Sequence, residues 1–287
     1  MLLEEKLSVH PCSPHVGAEI GGIDITGIDD ATAARIKALL CERGVVVIRN
    51  QRLEPPARLK DYCHRFGELG LHHQFTLDGH PEIIKLSNII ENGVPFGLKD
   101  AGHHWHSDLS YSEIPEFGAV LYAREIPAPR ANGETVGDTL FANAQVAYDR
   151  LDDAMKQRLA GLRACFSPSK VKTGSARSIL PDEERKKLGE VFHPVVRTHP
   201  VTGRKGIYVN PGHTRYIAGL PKEESDALLA LLYKQVQQPD LIYRHHWQVG
   251  DVIMWDNCTV QHNAVPDYAL PQRRLILRST IKGTVPF

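Results

Sequence analysis

The feature that most restricts the fold is a recurrence of short β-branched and aromatic runs without regular strand–helix alternation. From residue 82 onward the chain reads EIIKLSN (82–88), WHSDLSY (105–111), GAVLYARE (118–125), then FHPVVRTH and KGIYVN as a hairpin across PVTG, and finally DLIYRHHW, DVIMWD and RRLILRSTI. A doubly wound parallel sheet needs a helix between successive strands, so the pattern predicts an antiparallel β-sandwich or jelly roll with flanking helices. The helices are predicted over 29–43, over a short stretch carrying Leu59, Tyr62, Cys63 and Phe66, over roughly 143–162, and from Pro221 through ALLALLYKQV. In the first, Asp29 or Asp30 is the cap, Ala33, Ile36 and Leu40 share a face, and Gly44 is the stop. VVVI at 45–48 follows as a buried strand.

No composition shift or low-complexity tract marks a boundary, so 1–287 is read as one mainly β domain with flanking helices. The polar segment 167–190 is either a mobile lid over a site or a solvated loop. Lys plus Arg and Asp plus Glu each total 34, leaving no general field to attract nucleic acid or an acidic membrane, so any bound anion must be recognised locally. Five cysteines without CxxC spacing argue against a disulfide framework and fit a reducing cytoplasm. MLLEEKLSVHP lacks the apolar run of a signal peptide, and no stretch reaches the roughly 18 apolar residues of a membrane span.

The chain holds 15 histidines, clustered at HHWHSD (103–108), 72–73 and 245–246. His106-Ser107-Asp108 is the sharpest pattern. On a strand the side chains of i and i+2 point to one face, so an imidazole and a carboxylate can converge on one ion. A third ligand would complete a 2-His-1-carboxylate facial triad, which leaves open positions on Fe(II). His262, just beyond the apolar strand VIMWDN, is the best candidate, and His104, of the same strand parity as His106, is its rival. Asp256 or Asn257 could orient the imidazoles from behind, or serve only as structure under the strand. Trp105 reads as packing.

WHSDLSY, GDTLFANAQVAYDRL (137–151), FHPVVRTHPVTGRKGIYVN, WDNCTVQHNAVPDY and QRRLILRSTI resemble, in order, the taurine dioxygenase and 2,4-D dioxygenase (TauD/TfdA) family, with VGAEIGGIDI extending the match toward the start. The resemblance implies a double-stranded β-helix, iron ligation by His106, Asp108 and His262, and demotion of His104. It implies that 2-oxoglutarate chelates the metal while Thr139 and Arg274 hold its far carboxylate. A hydroxyl and a planar guanidinium fork suit that task. It further implies O2-dependent hydroxylation of a small organic anion, giving succinate and CO2, and a possible homo-oligomer.

Strand parity puts Arg274, Ile276 and Arg278 on one face, and Arg278 matches the position that binds the sulfonate in taurine-acting members. His72 matches their pocket histidine, with His73 as the neighbour to confuse it with. Elsewhere the pocket departs: Phe75 stands where the family has Tyr, Gly102 where it has Asn, and His213 where it has Phe. The anion anchor survives and the amine-recognising surroundings do not, so a sulfonate, sulfate ester or carboxylate other than taurine is expected. Two other classes stay open: a zinc hydrolase, since imidazole and carboxylate suit zinc, and a non-catalytic jelly-roll binding module. The first makes no use of Thr139 with Arg274, and the second none of a metal triad.

Overall fold

A computed structural model describes residues 7–99, 102–168 and 189–287. Eight strands form the principal sheet, in the order Ser8–Pro11, Ala18–Gly21, Val45–Ile48, Val252–Asp256, Glu116–Glu125, Leu275–Lys282, His80–Ser87 and Thr76–Leu77. All neighbours are antiparallel except Ala18–Gly21 with Val45–Ile48. A second sheet, Ile242–His245, Thr139–Asn143 and Val260–Ala264, is wholly antiparallel. The architecture is the jelly-roll type that the strand spacing predicts.

The alternation of side chains explains the layering. Val45 and Val47 face inward with Leu121, Ile253, Trp255 and Ile276, and meet Phe141 and Val260 of the second sheet. Val46 and Ile48 face the other way with Val120, Met254 and Leu277, and are covered by Ala33, Ile36, Leu40, Leu59, Tyr62 and Cys63 of two helices. A strand covered on both faces can be apolar throughout, which is why VVVI shows no polar alternation. The first helix, Asp30–Arg43, is capped by the Asp29 side chain accepting from the Thr32 N–H, and ends at Gly44 with φ +74°. A third cluster packs Leu228, Leu229 and Leu232 of the Lys222–Val236 helix against Ala142 and Ala147 behind the second sheet.

Three local expectations change. The predicted helix over 143–162 is two helices, Ala144–Asp149 and Asp153–Leu159, because Asp152 caps a new one by accepting from the Met155 N–H. Val191–Pro194 pairs with Arg163–Phe166, so only Val196–Thr198 and Lys205–Ile207 make the hairpin across PVTG. WHSDLSY is not a strand: His106 makes one antiparallel bridge to His262, and the chain then turns, with Leu109 at φ +47°. Of the segment 167–190, read as a lid or a solvated loop, 169–188 lies outside the described residues. Among the described residues, no helix is long and apolar enough to cross a membrane.

Candidate active site

The bridge between His106 and His262 builds the centre. Their backbones exchange two hydrogen bonds, His106 N–H to His262 O at 3.0 Å and His262 N–H to His106 O at 2.9 Å. This fastens the 102–111 segment onto the edge of the second sheet and sets the two imidazoles with ring centroids 4.1 Å apart. The turn after Ser107, rather than strand parity, swings Asp108 back, so that its Oδ1 lies 3.7 Å from the Nε2 of each histidine. All three side chains are buried, and one ligand atom from each lies within 4.8 Å of the others. Two metal bonds of roughly 2.1 Å at right angles place their donor atoms about 3 Å apart, so a small inward movement would seat an ion.

Protonation also suits a cation. The His106 Nδ1 lies 2.7 Å from the His104 carbonyl oxygen, so it carries the proton and leaves the Nε2 lone pair toward His262 and Asp108. Burial holds both His106 and His262 below the ordinary imidazole range, hence neutral. Burial opposes ionisation of Asp108, but the Arg278 guanidinium, 2.7 Å from its Oδ1, together with the neighbouring His262 and His106, keeps the carboxyl below its usual range. Two neutral nitrogens and one carboxylate are the donor set a divalent ion requires.

His104 contributes its backbone carbonyl, and its ring stands 4.9 Å from that of His106, outside the close group of three. Asn257, not Asp256, supports the centre, and it supports the carboxylate rather than an imidazole. Its Oδ1 accepts from the Asp108 N–H at 3.1 Å, while its Nδ2 and the Trp255 Nε1 donate to Asp108 Oδ2 at 3.3 and 3.1 Å. Trp105 packs against the third core cluster, as a packing residue should.

A second buried trio, Cys41, His199 and Asp256, also has ligand atoms within 4.8 Å of one another. It is already satisfied. The His199 Nδ1 accepts the Val201 and Thr202 N–H groups at 3.0 and 3.1 Å, which puts the proton on Nε2, donated to Asp256 Oδ2 at 2.6 Å. No imidazole lone pair is left, and burial first pushes the Cys41 thiol up to about 12. The pair is a structural clamp between the hairpin and the strand under the metal candidates. His199→Ala should therefore leave buried Asp256 with only the Cys258 N–H and Thr259 hydroxyl as donors among the described residues, lowering stability by about 2 kcal/mol and Tm by several degrees; thermal unfolding that superimposes on wild type would contradict this.

Arg274 is buried and its Nε has no hydrogen-bond partner. Its guanidinium lies against two rings, 5.8 Å from Trp247 and 5.6 Å from Tyr268. Trp247 Nε1 in turn donates to Thr139 Oγ1 at 3.1 Å, fixing the hydroxyl with its own proton free to donate elsewhere. Gly137, at φ +72°, closes this corner: a Cβ there would stand 3.1 Å from Tyr268 and 3.4 Å from Arg274 Cδ. Among the described residues no carboxylate stands beside the Arg274 guanidinium, and a buried cation stacked on aromatic faces in this way is poised for an anion from outside.

Of the two neighbouring histidines, His72 is buried with its Nε2 3.3 Å from Thr280 Oγ1, whereas His73 is exposed. Burial, then the nearby Arg278 charge, lower the His72 pKa to about 4. The unfolded chain takes up this proton near 6.5 and the folded one not until about 4, so the fold loses stability as pH falls through that window. Tm should fall less between pH 7.5 and 5 in His72→Gln than in wild type; equal losses would refute the assignment. His213 is buried with its Nδ1 2.9 Å from Ser110 Oγ and its ring 5.7 Å from His106. Gly102, at φ +76°, lies so close that a Cβ would be 3.0 Å from His106 Cε1, and half-buried Phe75 packs at the inner core.

The taurine catabolism dioxygenase TauD, TfdA family model matches residues 8–280. The chain belongs to the TauD/TfdA family of 2-oxoglutarate-dependent dioxygenases. An alpha-ketoglutarate-dependent sulfonate dioxygenase of Saccharomyces cerevisiae is 33% identical to this dioxygenase over 296 residues, 98% of the chain and 68% of the yeast protein. A taurine dioxygenase from Burkholderia xenovorans superposes with TM-score 0.80 at 30% identity, covering 98% of this chain and 90% of that one. AAD-2 in complex with Mn(II) and N-oxalylglycine gives TM-score 0.79 at 27% identity over 98% and 99% of the two chains. The zinc hydrolase and inert-module alternatives gain no support from these relatives.

Sequence reasoning missed Glu116, a buried carboxylate whose Oε2 lies 3.2 Å from Arg278. A glutamate at the start of a strand reads as a surface charge, and nothing local signals otherwise.

Proposed function

We propose that the whole chain is one catalytic domain in which His106, Asp108 and His262 hold Fe(II), Thr139 and Arg274 hold the far carboxylate of 2-oxoglutarate, and Arg278 anchors a small organic anion. When bound, the ferrous ion and the keto acid supply the activation of O2 and the oxidative decarboxylation, to succinate and CO2, that drive hydroxylation of a substrate C–H bond. The observation that carries the reading is the joint presence of a buried His-Asp-His donor set and a buried guanidinium with no carboxylate beside it among the described residues. A zinc hydrolase would leave Arg274 and Thr139 without a purpose.

The protein's own residues then have definite tasks. Trp255 and Asn257 hold Asp108 so that only its Oδ1 faces the imidazoles. The His104 carbonyl keeps the His106 proton on Nδ1. Trp247 aims the Thr139 hydroxyl, and the apolar ring faces around Arg274 exclude water, strengthening its grip on a carboxylate. His72, Phe75, Gly102 and His213 stand at the positions matching the substrate pocket of taurine-acting family members, and their task here is to set which C–H bond is presented. The sulfonate chemistry of the yeast relative and the loss of the amine-recognising residues favour a sulfonate, sulfate ester or carboxylate other than taurine. Free cysteines at 12, 41, 63, 165 and 258 suit the reducing cytoplasm.

Anaerobic addition of Fe(II) and then 2-oxoglutarate should give a visible metal-to-ligand charge-transfer band, and zinc should not replace iron in producing it. Absence of the band in well-folded protein would sink the proposal. Succinate formation over a panel of alkyl sulfates, sulfonates and aryloxy acids then identifies the substrate; taurine outrunning them all would overturn the substrate reading alone.

A further inference from the structure

Arg278 is bracketed by two buried carboxylates, and the metal reading uses only one of them. The same nitrogen, NH2, lies 2.7 Å from Asp108 Oδ1 and 3.2 Å from Glu116 Oε2. Glu116 is 6% exposed and Arg278 4% exposed, so water screens this pair little. The guanidinium also lies 5.6 Å from the Trp255 ring, and its Nε is buried without a partner. Lys282, the cross-strand partner of Glu116, directs its ammonium to Glu68, and among the described residues Arg278 is the cation paired with Glu116.

A carboxylate shared with a divalent ion has its charge engaged by that ion. The remaining counter-charge of Arg278 is then Glu116, whose ionisation burial opposes and the facing guanidinium favours. An unpaired buried guanidinium would attract any anion of suitable shape, whereas one already facing a buried carboxylate offers no surplus positive charge. An incoming sulfonate or carboxylate must share or displace Glu116, and also meets its repulsion at close range.

We propose that Glu116 is a specificity-determining residue: it acts as an internal counter-anion on Arg278, so that substrate anions bind in competition with it and uncharged groups do not. The inference rests on Arg278 being the substrate anchor. It accounts for a glutamate held in a buried position at the start of the Glu116–Glu125 strand.

The test uses the Fe(II) and 2-oxoglutarate complex of the full chain, with calorimetric binding of hexanesulfonate, heptanoate and, as uncharged control, 1-heptanol. Glu116→Gln keeps the shape and removes the charge, and the charge-transfer band reports an intact metal site. Roughly tenfold tighter binding of both anions, with no gain for the alcohol, is expected. Unchanged or weaker anion binding would overturn the proposal and make Glu116 a prop for the arginine; an equal gain for the alcohol would overturn it by showing a steric effect. If Glu116→Gln fails to form the band, Glu116→Asp, which withdraws the carboxylate by one methylene, carries the same test with a smaller gain of the same sign. Should neither wild type nor variant bind either anion while the band is normal, the reading of Arg278 as anchor fails rather than that of the iron centre.

Discussion

Asp108→Asn should still fold, somewhat less stably because it neutralises one of the two carboxylates facing buried Arg278, and yet give no ferrous 2-oxoglutarate band and at least roughly 1000-fold less succinate, equivalent to about 4 kcal/mol. The reason lies in which oxygen the protein holds. Trp255 Nε1 and Asn257 Nδ2 both donate to Asp108 Oδ2. In an asparagine the carbonyl oxygen is drawn to that place by two donors, Trp255 Nε1 and Asn257 Nδ2, against the single Arg278 NH2 donor on the Oδ1 side. The NH2 group is then turned toward the Nε2 atoms of His106 and His262, where it has no lone pair for a metal. Asp108→Ala should lose the band as well, with an added loss of stability, because it also takes away the acceptor of the buried Trp255 Nε1 and Asn257 Nδ2 donors. The contrast separates ligation from folding: a normal band in Asp108→Asn would show that this side chain is not a ligand.

Arg274→Ala should raise the KM for 2-oxoglutarate about 100-fold, with a smaller change in kcat at saturation. A charge-assisted hydrogen bond is worth about 1.5–3 kcal/mol, and the guanidinium fork can make two to one carboxylate. Arg274→Lys should recover only part of the loss, since an ammonium cannot make the paired contact or lie flat against Trp247 and Tyr268. Removing the Thr139 hydroxyl in Thr139→Val, which deletes one neutral donor, should cost less, about tenfold. The measurements are 2-oxoglutarate dependence of succinate formation and titration of the charge-transfer band. Affinity for 2-oxoglutarate unchanged by Arg274→Ala would place the far carboxylate elsewhere.

Much of this was legible in the sequence because the relevant information is short-range. Helix capping by Asp29, the stop at Gly44 and the i, i+3, i+4 face of Leu59, Tyr62 and Cys63 are properties of neighbouring residues, and the structure has them in those places. Strand parity set Ile276 inward and Leu275 and Leu277 outward, with Arg274 against Trp247 and Arg278 against Trp255 on the inner side. WHSDLSY shows where that reasoning stops. Its residue types favour a strand, yet the segment has a single bridge to pair with and then turns, so His106 and Asp108 come together by a route other than period-two alternation.

By itself, the sequence determined the mainly β architecture, the family, and the residue types capable of iron and carboxylate binding, because periodicity and motif order are written along the chain. Only the tertiary structure decided that His262 meets His106 across a bridge, that His72 rather than His73 turns inward, that Asn257 rather than Asp256 steadies Asp108, and that Glu116 confronts Arg278. Each of these depends on burial and charge pairing between segments far apart in sequence. Such contacts take their energy from a shared low-dielectric interior, which does not exist until the sheets have packed.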